Sequence, residues 1–186
     1  MSAHDLISLA ILAIAAAAGL SILAYQGLTG VPPMSSSAAE AAEVIKLLRE
    51  ADLPARPVIY DLGSGWGSLV VALARAFPDA DVHGVELSPL PYWVSRLRTR
   101  TMGNVSLSRG DFFQADLSQA DAVTCYLMIK TMPKVAAHLD RSLADGAAVV
   151  SLSFWFRDRQ ATASSVGAGL LGATALYRWP ARKTAE

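Results

Sequence analysis

The chain has 186 residues with 16 basic and 16 acidic side chains, so its formal charge is zero and no basic surface for nucleic acid is indicated. One cysteine, Cys125, excludes an intrachain disulfide, and its apolar setting reads as core. His4, His83 and His138 have no partner at metal-ligand spacing, so no metal is expected.

Residues 6–39 hold no charged side chain, and the 20 residues from 6 to 25 are almost wholly apolar. Helical residues rise about 1.5 Å each, which gives roughly 30 Å, the thickness of a bilayer's hydrocarbon core. A transmembrane helix is expected there. The alternative is a cleaved signal peptide, which would open with basic residues and carry a shorter apolar run; His4 and Asp5 stand here instead. All the basic residues follow the segment, which predicts a single-pass membrane protein with a cytoplasmic C-terminal domain. Residues 1–30 are thus expected to be an anchor and the start of a linker, and residues 31–186 one domain.

Residues 26–36 are rich in Gly, Pro and Ser and read as the linker. Ser37 and Glu40 have capping-box spacing, and Ala41, Val44, Ile45 and Leu48 continue at helical period to about Ala51. A short strand over 58–60 runs into Asp61-Leu62-Gly63-Ser64-Gly65-Trp66-Gly67, followed by a helix over 68–77. Residues 82–86 form a second strand, and Ser88-Pro89 opens a helix to about Arg100. Further strands are predicted at 105–108, 122–127, 147–156 and 173–179, with a helix over 133–143. The alternation implies a mostly parallel sheet with helices on both faces, the last strand inserting antiparallel.

In such a sheet the ligand lies beyond the carboxyl ends of the strands. Gly63, Gly65 and Gly67 let the backbone turn sharply and approach a ligand closely. Glu86 closes the second strand, where a carboxylate accepts ribose hydroxyls, and Asp111 follows the third. A dinucleotide site needs G-x-G-x-x-G; the spacing here is G-x-G-x-G after an acid, and Asp61 would repel a pyrophosphate.

That pattern resembles the first motif of class I S-adenosylmethionine-dependent methyltransferases, whose Rossmann-like fold matches the predicted order of elements. Residues 53–179 are further similar to the small lysine N-methyltransferases that modify the ATP synthase c subunit and the adenine nucleotide translocase. The likeness is carried by Tyr60 through Gly67, by Gly84-Val85-Glu86-Leu87-Ser88-Pro89 with Trp93, by Gly110-Asp111-Phe112, and by Met132-Pro133-Lys134 with Leu139. The resemblance implies S-adenosylmethionine as cofactor. It would be held by Asp61, Gly63, Ser64, Gly65, Trp66, Gly67, Glu86, Leu87, Asp111 and Phe112. It also implies a membrane-associated protein as substrate, methylated at lysine nitrogen. Two stretches depart from the family: residues 126–131, where a Gly-Val-Pro-Gln-like segment is usual, and residues 154–157 after the fifth strand.

A lysine amine, with a reference pKa of about 10.4, must be neutral to attack, and an apolar slot beside a sulfonium favours that form. Tyr126, at the end of the fourth strand, is the expected catalytic-slot residue. Trp93, Met132, Pro133, Phe154 and Trp155 are further candidates, with packing in the core as the alternative for each. Two other functions stay open: methylation of a membrane lipid, quinone or other small molecule, and a non-catalytic module that keeps the cofactor fold to bind a partner.

Overall fold

The computed structural model describes residues 2–29, 35–165 and 173–180. Helices α1 (Ala3–Thr29) and α2 (Ala38–Arg49) precede strand β1 (Val58–Leu62). Then come α3 (Ser68–Ala76), β2 (Asp81–Glu86), α4 (Pro89–Thr99) and β3 (Val105–Arg109). A 3-10 turn (Phe112–Gln114), β4 (Ala122–Cys125), α5 (Met132–Ser142), β5 (Ala148–Ser151), β6 (Ala163–Ser165) and β7 (Thr174–Arg178) complete the order.

The strands make one seven-stranded sheet in the order β3-β2-β1-β4-β5-β7-β6. β1 to β5 are parallel; β7 pairs antiparallel with both β5 and β6. This is a mixed α/β, Rossmann-like architecture. The order reverses between β1 and β4, so the carboxyl end of β1 opens at the switch point.

Strand periodicity sorts the core onto two faces. Along β5, Ala148 and Val150 face α2 and α3, while Val149 faces α5 with Val135 and Leu139. α2 buries Val44, Leu47 and Leu48 completely or nearly so, each contributing about 1.5–3 kcal/mol over exposure. Its capping box is present in both directions.

Four expectations are corrected by the structure. First, the segment read as a transmembrane helix is helical within α1, yet among the described residues no helix is long and apolar enough to cross a membrane. A span needs about 20 contiguous apolar residues. α1 opens on the polar pair His4 and Asp5 in its first turn. All its described side chains are exposed. The single-pass membrane location with a cytoplasmic domain, which rested on that span, is withdrawn with it. Second, α1 continues to Thr29, so residues 26–29 of the expected linker are helical; residues 30–34, and with them the boundary at 30, lie outside the described residues.

Third, β4 stops at Cys125 and β5 at Ser151, earlier than the apolar runs suggested. β5 ends because the chain turns: Ser153 has φ +61° and the Ser151 hydroxyl donates to the carbonyl of Phe154 at 2.5 Å. Fourth, β6 was not anticipated. Its three residues, Ala-Ser-Ser, carry no strand signal of their own and pair only because β7 presents a free edge.

Candidate active site

β1 delivers Asp61 to the carboxyl edge of the sheet, and the glycine loop leaves from there. Gly63, Gly65 and Gly67 have φ of +74°, +52° and +77°, a region that other residues enter only under strain. Space is equally restrictive. A Cβ on Gly67 would collide with the hydroxyl of Ser95, and one on Gly63 would sit 3.0 Å from Leu127. The backbone N–H groups of Gly63 and Ser64 donate to the carbonyl of Val85, which ties the loop to β2.

Two buried carboxylates flank the loop. Asp61 is 3% exposed and accepts the Thr124 hydroxyl at 2.9 Å. Burial pushes its carboxyl up to about 7, the Thr124 hydroxyl opposing and the charge of Glu86 adding to the rise. Glu86 accepts the N–H of Gly65 at 2.8 Å and that of Ser88 at 2.7 Å, one on each oxygen. Each oxygen retains a lone pair for a ligand hydroxyl. The Ser64 hydroxyl is buried without a hydrogen-bond partner among the described residues, so the loop holds a polar group that awaits one.

A cleft lined by Ser35, Ser36, Asp61, Gly63, Ser64, Trp66, Ser68, Leu69 and Tyr126 opens over the loop. Tyr126 lies just beyond β4, and burial raises its phenol above the ordinary range, so it remains a donor at neutral pH. Its hydroxyl donates to Glu40 at 3.5 Å.

The other sequence-derived candidates lie further out. Asp111 caps the 3-10 turn by accepting the N–H of Phe113 at 3.0 Å, and Phe112 packs on Phe113 with ring centroids 4.5 Å apart. Leu87 is exposed past β2. Met132 is buried in the α5 face of the core and Pro133 is exposed in the first turn of α5. Phe154 packs partly against that same core. Trp155 is at the surface, its indole donating to the carbonyl of Ala173 at 2.7 Å. Trp93 is 58% exposed on α4 with Arg96 over its ring. None of these eight lines the cleft that joins Asp61 to Tyr126.

Sequence reading passed over Thr124, Ser95, Ser35 and Ser36. Thr124 left a trace, a lone hydroxyl in an apolar strand whose register places it beside Asp61. Cys125 is buried and its thiol is pushed up to about 12, which leaves no thiolate at neutral pH.

Comparison with known proteins identifies the chemistry. Residues 61–163 match the family model of the ANTKMT methyltransferase domain. A protein-lysine N-methyltransferase of Saccharolobus islandicus (strain REY15A) is 29% identical over 122 residues, which cover 61% of this chain and 73% of that protein. The lysine N-methyltransferase of the ATP synthase c subunit from Rattus norvegicus is 29% identical over 130 residues, 68% of this chain. The match spans only 57% of the rat protein's length. Among solved structures, an RNA methyltransferase from Salinibacter ruber in complex with S-adenosyl-L-homocysteine superposes with a TM-score of 0.67. It is 29% identical, with 82% of this chain and 97% of that one covered.

The site suits the same cofactor family. Two buried acids and an unpartnered hydroxyl around a glycine cradle favour a cationic nucleoside and disfavour a phosphate. The chain therefore belongs to the ANTKMT methyltransferase domain family and is an S-adenosylmethionine-dependent methyltransferase.

Proposed function

We propose that the enzyme methylates the side-chain nitrogen of lysine in a membrane-associated protein, with the cleft between Asp61 and Tyr126 as the place of transfer. The observation that carries this is the position of Tyr126: it lies beyond β4 and lines the same cleft as the acid and the glycine loop. The relatives named as lysine N-methyltransferases, two of them described above, support the acceptor class. The domain responsible is proposed to be residues 31–186.

In this reading Glu86 holds the ribose hydroxyls, and the backbone of Gly63 to Gly67 lies against the nucleoside. Asp61 faces the ammonium of the amino-acid end, where a positive charge favours its ionised form. Trp66 lines the cleft at the loop, and Leu87, Asp111 and Phe112, outside that cleft, are assigned to the far side of the nucleoside. S-adenosylmethionine supplies an electrophilic methyl: the amine lone pair forms the new N–C bond as the C–S pair returns to sulfur. Tyr126 then aligns the amine along that axis, and the proton released from nitrogen passes to water. Alignment of this kind contributes up to roughly 7–11 kcal/mol.

Labelled S-adenosylmethionine with the purified c subunit of ATP synthase as acceptor tests the reading. Label should appear on a lysine and vanish in the Lys→Arg acceptor, and the rate should rise between about pH 7 and 9 as amine becomes neutral. Parallel incubations with RNA and with extracted lipid should stay unlabelled. Label in RNA or lipid and none in protein would overturn it.

A further inference from the structure

The capping box of α2 reaches into the active-site rim. Ser37 Oγ accepts the N–H of Glu40 at 3.2 Å, and Glu40 Oε2 accepts the N–H of Ser37 at 2.7 Å. The remaining oxygen, Oε1, accepts the Tyr126 hydroxyl from 86 residues away in the chain. Ser35 and Ser36, immediately before the box, line the cleft with Asp61 and Tyr126. The hydroxyl of Ser35 also lies 2.7 Å from that of Ser68, at the start of α3. The cap thereby fixes a half-buried carboxylate beside the aromatic that borders the cleft.

No Lys or Arg pairs with Glu40 among the described residues, where Arg159 pairs with Asp140 and Asp158. A partly desolvated carboxylate held without a cation attracts one more strongly than it would in water. Capping accounts for the oxygen bonded to Ser37. It leaves unexplained why the second oxygen is turned toward Tyr126. The other acids of the site are deeper than Glu40, Asp61 being 3% and Glu86 8% exposed.

We propose that Glu40 is a specificity-determining residue that receives the acceptor as an ammonium at the open side of Tyr126. The aromatic face of Tyr126 adds a second attraction for that cation. This inference rests on the lysine reading above and names the group that selects the charged acceptor before its proton is lost.

Glu40→Gln separates recognition from structure, because glutamine serves equally in a capping box and still accepts from a phenol. In the full chain, with the ATP synthase c subunit as acceptor, Glu40→Gln should raise KM about tenfold, as loss of a charged hydrogen-bonding partner does. The kcat, the affinity for S-adenosylmethionine and the melting temperature should stay close to wild type. Added salt should raise the wild-type KM and leave that of Glu40→Gln nearly flat. Unchanged KM and salt response in Glu40→Gln, with a wild type that methylates lysine in that acceptor, would overturn this inference alone. A fall in kcat or cofactor affinity without a change in KM would do the same. A wild type that places no methyl on lysine would remove both this inference and the reading beneath it.

Discussion

The two ends of the sheet are built on different terms. From β3 to β4 the strands are parallel, their register is continuous, and the glycine loop and both buried acids lie at their carboxyl edge. From β5 to β6 the chain turns sharply at Ser153, reverses direction and closes through a three-residue edge strand. The first end is dictated by backbone geometry, because a cofactor of fixed shape must approach main chain. The second is dictated by packing: Phe154 lies against the core, Trp155 donates to the carbonyl of Ala173, and neither borders the cleft. Changes at the first end should therefore be severe and chemically specific, while those at the second should be graded.

The largest effect is expected at Gly67. Gly67→Val combines a forbidden φ with a Cβ driven into Ser95, and should cost about 3–5 kcal/mol and eliminate cofactor binding. Gly103→Ala, where an added Cβ meets nothing within 4 Å, should stay within about 0.5 kcal/mol. Chemical denaturation of both checks the contrast.

Asp61 comes next. Its folded-state pKa of about 7 lies above the ordinary 3.8, so the stability it contributes is full below the lower value and lost as pH rises through the upper one. Asp61→Asn keeps the Thr124 hydrogen bond and cannot ionise. Relative to that variant, the cofactor-free wild type should lose on the order of 4 kcal/mol as pH rises from about 4 to 8. Cofactor affinity of the wild type should rise over the same range, as the ionised acid meets a cation. A pH-independent difference between the two proteins would remove Asp61 from this role.

Glu86→Ala should weaken S-adenosylmethionine by about 2–3 kcal/mol in calorimetry, since charged acceptors make the stronger hydrogen bonds. It should also lower stability, because the N–H groups of Gly65 and Ser88 lose their acceptor. Across the cleft from the loop, just beyond β4, Tyr126→Phe should reduce turnover by about 0.5–1.5 kcal/mol in barrier terms and leave cofactor affinity unchanged. Trp93→Ala, on the outer face of α4, should move neither quantity measurably. A Tyr126→Phe variant that lost cofactor affinity instead of turnover would break the division of labour between the glycine loop and Tyr126.

The same division explains what could be read from sequence. Glycine announces a left-handed backbone by its identity, so Gly63, Gly65 and Gly67 were legible, and the interval to Glu86 followed from one strand–helix–strand unit. The Ser37–Glu40 box was likewise a local pattern. Nothing local marks the turn at Ser153, since Ser151-Leu152-Ser153-Phe154 alternates polar and apolar as a strand would; the break is made by the Ser151 hydroxyl and by packing against β7. The contact of Glu40 with Tyr126 was equally invisible, since it joins elements far apart in sequence. Apolarity misled in the opposite way at α1, where composition suggested a membrane span and no helix among the described residues qualifies as one.

The central claim concerns one cleft serving both donor and acceptor. Its most direct test is a crystal structure of the full chain with S-adenosyl-L-homocysteine. In that structure the ribose hydroxyls should lie on Glu86, the ammonium toward Asp61, and the sulfur toward the part of the cleft that Tyr126 borders. A ligand bound with its sulfur turned away from Tyr126, or held outside the glycine loop, would contradict it.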